Sequence, residues 1–488
     1  MSNSKFSELR NVLWPIDNSE LKKFLPMAFM MMCILFNYAV LRSIKDSLIV
    51  IKIGAEAIGF MKLYVVLPSA IIAMIIYAKL CNVMNYKSVF YTISAFFIAY
   101  LVAFALLLYP NPDAFHPDSQ WIEDLAQQHD RFKWIIRIMG KWSYASFYVI
   151  AELWGSMMVS LLFWQFANSI TKTDEAKRFY SMFGMLGNIG LPIAGLVLGI
   201  KMDDMVATTQ VKILCTVIGG VLIMLAYYYI NECVLSDPTH QPVNSSSKPK
   251  KSKAKLSLGE SFKLIFSSKY LGMIAILIFS YGVSINLVEG VWKAKVKELY
   301  PSIEEYQQFM GYFQTVQGFG AIIFMIIGSN ILRTVSWRTA ALFTPVMILI
   351  TGLGFFGFIV FDKIIALYLA GFVSSGALAL GVSIGTWQQV LAKATKYSLF
   401  DSTKEMAYIP LDDELKSKGK AAVDVVGGRF GKSGGAAIQS TFFFLFPALG
   451  FTDAIPFFAI VFFVVVMSWI YAVSRLSISY NAAIKSGQ

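Results

Sequence analysis

The sequence predicts an all-α integral membrane protein with twelve transmembrane helices in two six-helix halves. Of its 488 residues, 57% are hydrophobic and only 15% are charged, whereas soluble globular proteins contain about 25% charged residues. Three windows of at least 20 residues carry no charge, at 89–109, 339–361 and 454–474. Because one membrane crossing takes ~20 apolar residues, a chain of this length has room for about a dozen helices.

Nine further segments complete the predicted set of membrane spans. Seven are apolar throughout most of their length: 24–41, 179–200, 213–230, 270–288, 306–332, 364–392 and 433–452. The segment 63–78 is short, and its extension back through Gly59 includes Lys62, whereas the segment 142–168 contains Glu152. We expect helices throughout, because lipid offers no partner for the backbone of an open strand and these runs lack the alternation of barrel strands.

The distribution of Lys and Arg predicts the orientation of the chain in the membrane. With a cytoplasmic N-terminus, the seven inner segments contain 26 of the 42 basic residues and the outer segments contain 13. The other three, Lys62, Arg429 and Lys432, are predicted at or inside helix ends. This bias favours an even number of crossings with both termini in the cytoplasm. The net charge of +12 therefore indicates membrane orientation, and no nucleic-acid partner is expected.

A polar segment near the middle of the chain divides it into two bundles. Residues 244–255 are rich in lysine and serine, which is typical of a flexible linker. The expected regions are a cytoplasmic N-terminal segment 1–23, a bundle 24–230, a basic cytoplasmic linker 231–269, a bundle 270–474 and a cytoplasmic tail 475–488. The stretch Phe36-Asn-Tyr-Ala-Val40 weakly resembles Phe279-Ser-Tyr-Gly-Val283. Two six-helix halves related by a parallel repeat are the plan of major-facilitator-type transporters.

Two carboxylates are candidates for a site inside the membrane. Glu152 lies ten residues after Trp142 and sixteen before Asn168, and a carboxylate at such a depth costs about 2.5 to 3.5 kcal/mol. It either forms a buried hydrogen bond between helices or lines a cavity, where Tyr148 could stack on a base. Glu289 either lines the same cavity or forms an ordinary helical ion pair with the lysine four residues later.

The candidate cations are expected near helix ends. Lys62 is predicted at an outer end and Lys432 at an inner end, where lysine side chains commonly extend to the membrane surface. Arg42, Lys45 and Asp46 are predicted to close the first helix as a partly neutralised cluster. If all these groups share one cavity, its cations suit phosphate oxygens. Its carboxylates could then accept hydrogen bonds from ribose hydroxyls or an amino group.

Signatures of soluble nucleotide enzymes and of bound cofactors are missing from the sequence. The run 427–433 resembles a phosphate-binding loop, but Val426 occupies the position of its first glycine. We therefore expect no ATP hydrolysis. The four cysteines are scattered, and the three histidines are predicted in loops, so neither a metal nor a cofactor is expected.

Eight motifs along the chain are specific enough to indicate a family. They are Ile34-Leu-Phe-Asn-Tyr38, Leu41-Arg-Ser-Ile-Lys-Asp46, Ala151-Glu-Leu-Trp-Gly155, Leu162-Phe-Trp-Gln-Phe-Ala-Asn168, Asn286-Leu-Val-Glu-Gly-Val-Trp-Lys293, Lys396-Tyr-Ser-Leu-Phe-Asp401, Lys404-Glu-Met-Ala-Tyr-Ile-Pro-Leu411 and Gly431-Lys-Ser-Gly-Gly435. From about Leu21 to Tyr480 the chain resembles the ATP/ADP translocase (nucleotide transporter) family of obligate intracellular bacteria and plastids. The resemblance implies exchange of host ATP for bacterial ADP, with phosphate as an optional companion of ADP.

The resemblance also points to four charged residues as important for transport, Lys62, Glu152, Glu289 and Lys432. We add four further candidate substrate contacts, Arg42, Lys45, Asn286 and Tyr148. Because members of the family differ in substrate, GTP and pyrimidine nucleotides stay open as alternatives to ATP and ADP. The expected form is a monomer in the lipid bilayer of a bacterial inner membrane.

Alternating access is the mechanism expected from these residues. Lys62 and Lys432 would converge on the phosphates from the two bundles, while Glu152 and Glu289 orient the lysines and contact the ribose or base. An empty cavity would keep its charges unscreened and reorient poorly, which predicts exchange. One alternative is a proton-coupled importer that uses Glu152 as the proton carrier. Another is a membrane enzyme, although the paired carboxylates at 203–204 and 412–413 are predicted on opposite sides.

Overall fold

The computed structural model describes residues 14–237, 263, 265, 267–361, 364, 376–411 and 419–486. Over these residues the regular elements are all helices, twelve of them long. The first part of the chain contains α1 Leu21–Lys52, α2 Ala57–Val83, α3 Tyr86–Leu108, α4 Trp142–Ile170, α5 Thr173–Gly187 continued by Gly190–Leu198, and α6 Met205–Val234. The second part contains α7 Lys269–Leu299, α8 Ile303–Thr334, α9 Trp337–Val360, α10 Gly376–Thr395, α11 Lys420–Leu445 and α12 Phe451–Ser486.

Within the described ranges, ten helices are long and apolar enough to cross a membrane, namely α1 to α9 and α12. This confirms the predicted class of a helical multi-pass membrane protein. The helix α11 begins at Lys420, so the predicted start of this span at residue 433 is wrong, and Lys432 is its thirteenth residue and not an end residue. The error has a physical cause. An apolar window stops at a charged residue, whereas a helix enclosed by protein continues through it.

The same effect extends α1 and α7 beyond their predicted ends. The helix α1 continues to Lys52, so the expectation that Arg42, Lys45 and Asp46 close it is wrong. The helix α7 continues to Leu299, ten residues past Glu289. Several basic residues that were assigned to loops therefore lie inside helices. The helix α12 likewise continues through most of the segment 475–488, to Ser486.

The two parts of the chain pack closely through small residues. A Cβ atom on Gly311 of α8 would lie 2.8 Å from the carbonyl oxygen of Gly195 in α5. A Cβ atom on Gly59 of α2 would lie 3.2 Å from the carbonyl oxygen of Ala436 in α11. Such close backbone approach is the usual function of small residues between membrane helices. These two contacts hold α8 against α5 and α11 against α2, so helices of the two parts meet at two places.

One end of the bundle is covered by the connection between α3 and α4. We call this the distal end, and the opposite end, where α1 and α7 begin, the terminal end. The connection contains the helices Pro112–Phe115, Ser119–Gln128 and Lys133–Gly140. Arg137 and Glu123 form an ion pair within it, and the hydrogen bonds from Arg137 hold the pKa of the Glu123 carboxyl below its usual value.

The distal connection also joins the two parts of the chain. Lys133 Nζ donates a hydrogen bond to the carbonyl oxygen of Pro447 over 2.5 Å. The rings of Phe132 and Phe444 meet edge to face with centroids 5.5 Å apart. The ring of Trp134 covers Gly54, whose φ of +140° suits glycine. We call this set of contacts the distal seal.

Candidate functional site

Seven charged side chains from α1, α2, α4 and α7 meet near the centre of the bundle. We call them the ion cluster, and its members are Arg42, Lys45, Asp46, Lys62, Glu152, Glu289 and Lys293. Four cations and three carboxylates give the cluster a formal net charge of +1. Because α7 belongs to the second part of the chain, the cluster bridges the two parts.

Glu289 is the centre of the accessible side of the cluster. Its Oε1 atom lies 2.6 Å from Arg42 Nη2 and 3.1 Å from Lys293 Nζ, while its Oε2 atom lies 3.5 Å from Lys62 Nζ. The helical pair with Lys293 expected from the sequence is therefore present, but it is one of three. Cations from three helices share a single carboxylate, so none of them is fully neutralised by it.

Asp46 is the centre of the buried side of the cluster. Its Oδ1 atom lies 2.8 Å from Lys45 Nζ, and its Oδ2 atom lies 2.7 Å from Lys293 Nζ. The Asp46 side chain has no exposed surface, and those of Lys45 and Lys293 are at most 2% exposed. Buried charges persist only when they are paired and hydrogen-bonded, so these three residues depend on one another.

Lys45 connects the buried side of the cluster to α4. Its ammonium lies 3.0 Å from Glu152 Oε1 and 3.8 Å from the centroid of the Tyr148 ring. The ring therefore stabilises a cation, an interaction worth about 2 kcal/mol when it is desolvated. Tyr148 is fully buried and packs under Lys45, which leaves no open face for stacking on a base. The expectation that Tyr148 stacks on a base is not supported by this geometry.

Lys62 points into the bundle and does not extend to the membrane surface. Its ammonium donates to Asn286 Oδ1 over 2.7 Å, and Gln439 Nε2 donates to the backbone carbonyl of Asn286 over 2.9 Å. These bonds join α2, α7 and α11. Lys62 lies in the π-helical turn Met61–Val66, and a second π-helical stretch, Gly155–Phe163, follows Glu152. Such turns are frequent at functional sites, because they shift side chains out of the α-helical register.

The accessible and buried members of the cluster form two layers. The side chains of Glu152, Lys62 and Arg42 are 28%, 21% and 19% exposed, respectively. Lys45, Asp46 and Lys293 lie behind them. A ligand that reaches the cluster therefore meets two cations and one carboxylate first.

Two further buried lysines pair with amides close to the cluster. Lys393 of α10 donates to Gln317 Oε1 over 2.8 Å, and Lys212 of α6 donates to Gln307 Oε1 over 3.0 Å. Gln307 in turn donates to Ser47 Oγ over 3.1 Å. The partners of the two lysines are amide oxygens, which accept hydrogen bonds but supply no counter-charge.

The structure brings together seven of the eight predicted site residues: Arg42, Lys45, Lys62, Tyr148, Glu152, Asn286 and Glu289. The side chain of Lys432 lies outside the described residues, and the role of each residue in substrate binding stays a prediction. Asp46 and Lys293 also belong to the cluster, but they are not among the site residues predicted from the sequence. The signal was available, since Asp46 follows Lys45 directly and Lys293 is one helical turn after Glu289.

The carboxylate pairs of the enzyme alternative lie away from the ion cluster or outside the described residues. Asp204, which belongs to one of the carboxylate pairs of the enzyme alternative, caps α6 by accepting a hydrogen bond from Val206 N over 2.8 Å. The other pair, Asp412 and Asp413, lies outside the described residues. Over the part of the chain that the structure describes, no group of three metal-ligating side chains comes together.

Solved structures with this architecture are transporters of low sequence identity. One is described as a bacterial homologue of the iron transporter ferroportin in an inward-facing state, with a TM-score of 0.57 at 12% identity, covering 95% of this chain and 100% of that chain. Another is a D-xylose-proton symporter with a TM-score of 0.53 at 12% identity, covering 93% and 97%. At this level of identity they show the fold alone, and they confirm the predicted major-facilitator-like class.

Sequence comparison identifies the family. The chain is 58% identical over 492 residues to ADP,ATP carrier protein 1 of Rickettsia bellii (strain RML369-C), covering 99% of this chain and 98% of that protein. It is 56% identical over 499 residues to ADP,ATP carrier protein 1 of Rickettsia prowazekii (strain Madrid E), with complete coverage of both. The model of the TLC ATP/ADP transporter family matches residues 1–480. These matches confirm the resemblance noted in the sequence, and the chain belongs to the TLC ATP/ADP transporter family.

Proposed function

We propose that this chain exchanges ATP for ADP across a membrane by alternating access. Family membership and relatives named ADP,ATP carrier proteins support this assignment. The structural observation behind it is the ion cluster, in which Arg42 and Lys62 of the first part share the carboxylate of Glu289 in the second part. A polyphosphate that binds there contacts both parts of the chain at once.

Phosphate binding would rearrange the accessible side of the cluster. Phosphate oxygens compete with Glu289 for Arg42 and Lys62, because charge-assisted hydrogen bonds to phosphate are as strong as those to carboxylates. Glu289 would keep Lys293, which lies 3.1 Å away on its own helix. In the empty carrier, Glu289 holds α1 and α2 against α7. This ion-pair lock, and not unscreened charge, is our explanation for poor movement without substrate.

Several finer assignments belong to the same proposal. Lys432 would bind the phosphates from α11, and residues 24–230 and 270–474 would move as two bundles joined by the linker 231–269. Most of this linker and most of the N-terminal segment 1–23 lie outside the described residues. We assign the protein to the bacterial inner membrane as a monomer surrounded by lipid, with both termini cytoplasmic, because 26 basic residues fall in the inner segments against 13 in the outer ones.

Transport by purified protein in proteoliposomes tests the exchange directly. We expect uptake of labelled ATP into vesicles loaded with ADP and none into empty vesicles, because the empty cluster stays locked. Adding phosphate with the internal ADP tests whether it accompanies ADP. Uptake into empty vesicles that depends on a pH gradient and stops with a protonophore would instead support a proton-coupled importer. Stronger competition by GTP or CTP than by ATP would change the assigned substrate.

Alternating access also requires the distal seal to open. A disulfide between Phe132→Cys and Phe444→Cys is expected to stop transport, because it ties the connection between α3 and α4 to α11. The four native cysteines, Cys33, Cys81, Cys215 and Cys233, are free, so the pair belongs in a background in which all four are replaced by alanine. Labelled ATP uptake is measured before oxidation, after oxidation and after reduction.

Each single variant is the matched control for this cross-link and should transport equally under both conditions. Full transport by the oxidised double variant, with the cross-link demonstrated by mass spectrometry, would show that the distal seal does not open during the cycle.

A further inference from the structure

A third π-helical turn near the centre of the bundle has no function in the site described above. It spans Lys396–Phe400 and directly follows α10. The backbone N–H of Asp401 donates to the carbonyl of Lys396, five residues earlier, so the two side chains emerge on the same face. Their ammonium and carboxylate lie 2.7 Å apart. The turns near Lys62 and Glu152 are of the same type.

Two tyrosines surround the ammonium of Lys396. It lies 4.7 Å from the centroid of the Tyr397 ring and 5.8 Å from that of the Tyr281 ring. The Tyr281 ring is itself fixed from behind, since it stacks on Phe400 at 5.3 Å and meets the edge of Trp469 at 6.0 Å. We call Tyr281, Lys396, Tyr397 and Asp401 the α10 cage.

The α10 cage is open to a ligand. Tyr397 is 45% exposed, and the side chains of Lys396 and Asp401 are 27% and 36% exposed. Tyr397 and Asp401 are more exposed than any member of the ion cluster, and Lys396 is about as exposed as Glu152. Tyr397 and Asp401 therefore both present surface that a ligand can contact.

The position of the α10 cage relative to the ion cluster fits one elongated ligand. Tyr281 lies eight residues before Glu289 on α7, which is about 12 Å along the helix axis at 1.5 Å per residue. The cage therefore lies on the terminal-end side of the cluster, at a distance that an extended nucleotide spans.

We propose that the α10 cage is the nucleoside subsite of this carrier. The base stacks on the exposed ring of Tyr397, Asp401 accepts hydrogen bonds from the ribose hydroxyls or an amino group of the base, and Lys396 leaves the space between the rings. The phosphates then lie at Arg42 and Lys62. This inference rests on the proposed nucleotide exchange, but it concerns the end of the substrate that the ion cluster does not contact.

The chemistry of the cage fits a nucleoside better than a second phosphate. Stacking on an aromatic ring is available to any base, since every base has a π-face. Asp401 beside the rings would repel an anion that came without donor groups. Its carboxylate needs hydrogen-bond donors, and a nucleoside supplies them as hydroxyl and amino groups.

Equilibrium binding of ATP and of tripolyphosphate to the purified full chain tests this assignment. Tyr397→Leu and Asp401→Asn are each expected to weaken ATP binding about tenfold, while tripolyphosphate, which has no nucleoside, binds as it does to the unmodified protein. Tyr86→Leu, at a tyrosine that is 65% exposed at the start of α3, and Asp124→Asn, in the distal connection, are matched controls. Both should bind ATP normally.

Two outcomes would overturn the subsite. One is unchanged ATP affinity in both cage variants, and the other is an equal loss of ATP and tripolyphosphate affinity. Photolabelling with 8-azido-ATP gives an independent reading on the unmodified protein, because its reactive group is on the base. Adducts at 393–401 or near Tyr281 support the subsite, and adducts confined to other helices reject it. Failure of the exchange itself would appear separately, as absent ATP uptake by the unmodified protein.

Discussion

Glu289→Gln is expected to reduce ATP exchange about a hundredfold without removing the protein from the membrane. The glutamine amide has nearly the shape of the carboxylate but cannot neutralise Arg42, Lys62 and Lys293, which all lie within 3.5 Å of it. Loss of one partner from a buried ionic group costs about 3 to 5 kcal/mol. Because the site is partly open, we take the lower end of this range, which corresponds to about a hundredfold in rate.

Labelled ATP uptake into ADP-loaded proteoliposomes, normalised to the amount of reconstituted protein, measures this effect. Glu298→Gln is the matched control, since Glu298 is on the same helix and pairs with Lys295 at the distal end, away from the cluster. It should transport within about twofold of the unmodified protein. Glu289→Asp keeps the charge and should recover part of the activity.

Wild-type exchange by Glu289→Gln would show that transport does not need the Glu289 carboxylate. A variant that is inactive but still gains thermal stability when ATP is added would show that binding survives and that movement is lost. Such a result would assign the lost movement to the unpaired Arg42, Lys62 and Lys293, because the variant no longer has the ion-pair lock. Inactivity together with loss of the folded protein would mean that Glu289 is needed for stability. The loss of transport would then not show a role in the transport cycle.

The membrane spans could be predicted from the sequence because apolar windows report burial in lipid. Their ends could not, as Arg42 and Glu289 show. Both terminate an apolar window, yet each lies well inside a helix, because its charge is paired across the bundle. A hydropathy window averages residues that are adjacent in sequence, so it cannot detect an oppositely charged residue that is distant in sequence. For the same reason the predicted spans 213–230 and 364–392 stop one residue short of Lys212 and Lys393, although both lysines lie inside helices.

The identity of the site residues could be predicted in part. Glu152 was accessible to sequence reasoning because a carboxylate inside a long apolar run is costly. Asp46 and Lys293 were not predicted as site residues, because each has an oppositely charged residue nearby in the sequence. Lys45 accounts for Asp46 and Glu289 accounts for Lys293 as a local ion pair. The α10 cage was hidden for another reason. An ordinary α-helix separates residues five apart by about 140° around its axis, and only the π-helical turn brings Lys396 and Asp401 together.

Asp46→Asn is expected to destabilise the folded protein more than any substitution on the accessible side of the cluster. Asp46 has no exposed surface and is the carboxylate that pairs with both Lys45 and Lys293. Its removal leaves buried ammonium groups short of a counter-charge, at a cost of about 3 to 5 kcal/mol. Since the free energy of unfolding of a folded protein is about 5 to 15 kcal/mol in total, this loss is a large fraction of it.

The yield of monodisperse protein in detergent and its unfolding temperature measure this prediction. Asp124→Asn in the distal connection should leave both unchanged. In Asp46→Asn, Lys45 and Lys293 both lose their shared carboxylate. The double variant Asp46→Asn with Lys293→Met removes one of these two buried cations, so it should be more stable than Asp46→Asn alone. This recovery separates an electrostatic loss from a packing loss, because two deletions that share one interaction are not additive. Equal or lower stability of the double variant would mean that Asp46 acts through packing, and the buried layer would then not be held by its charges.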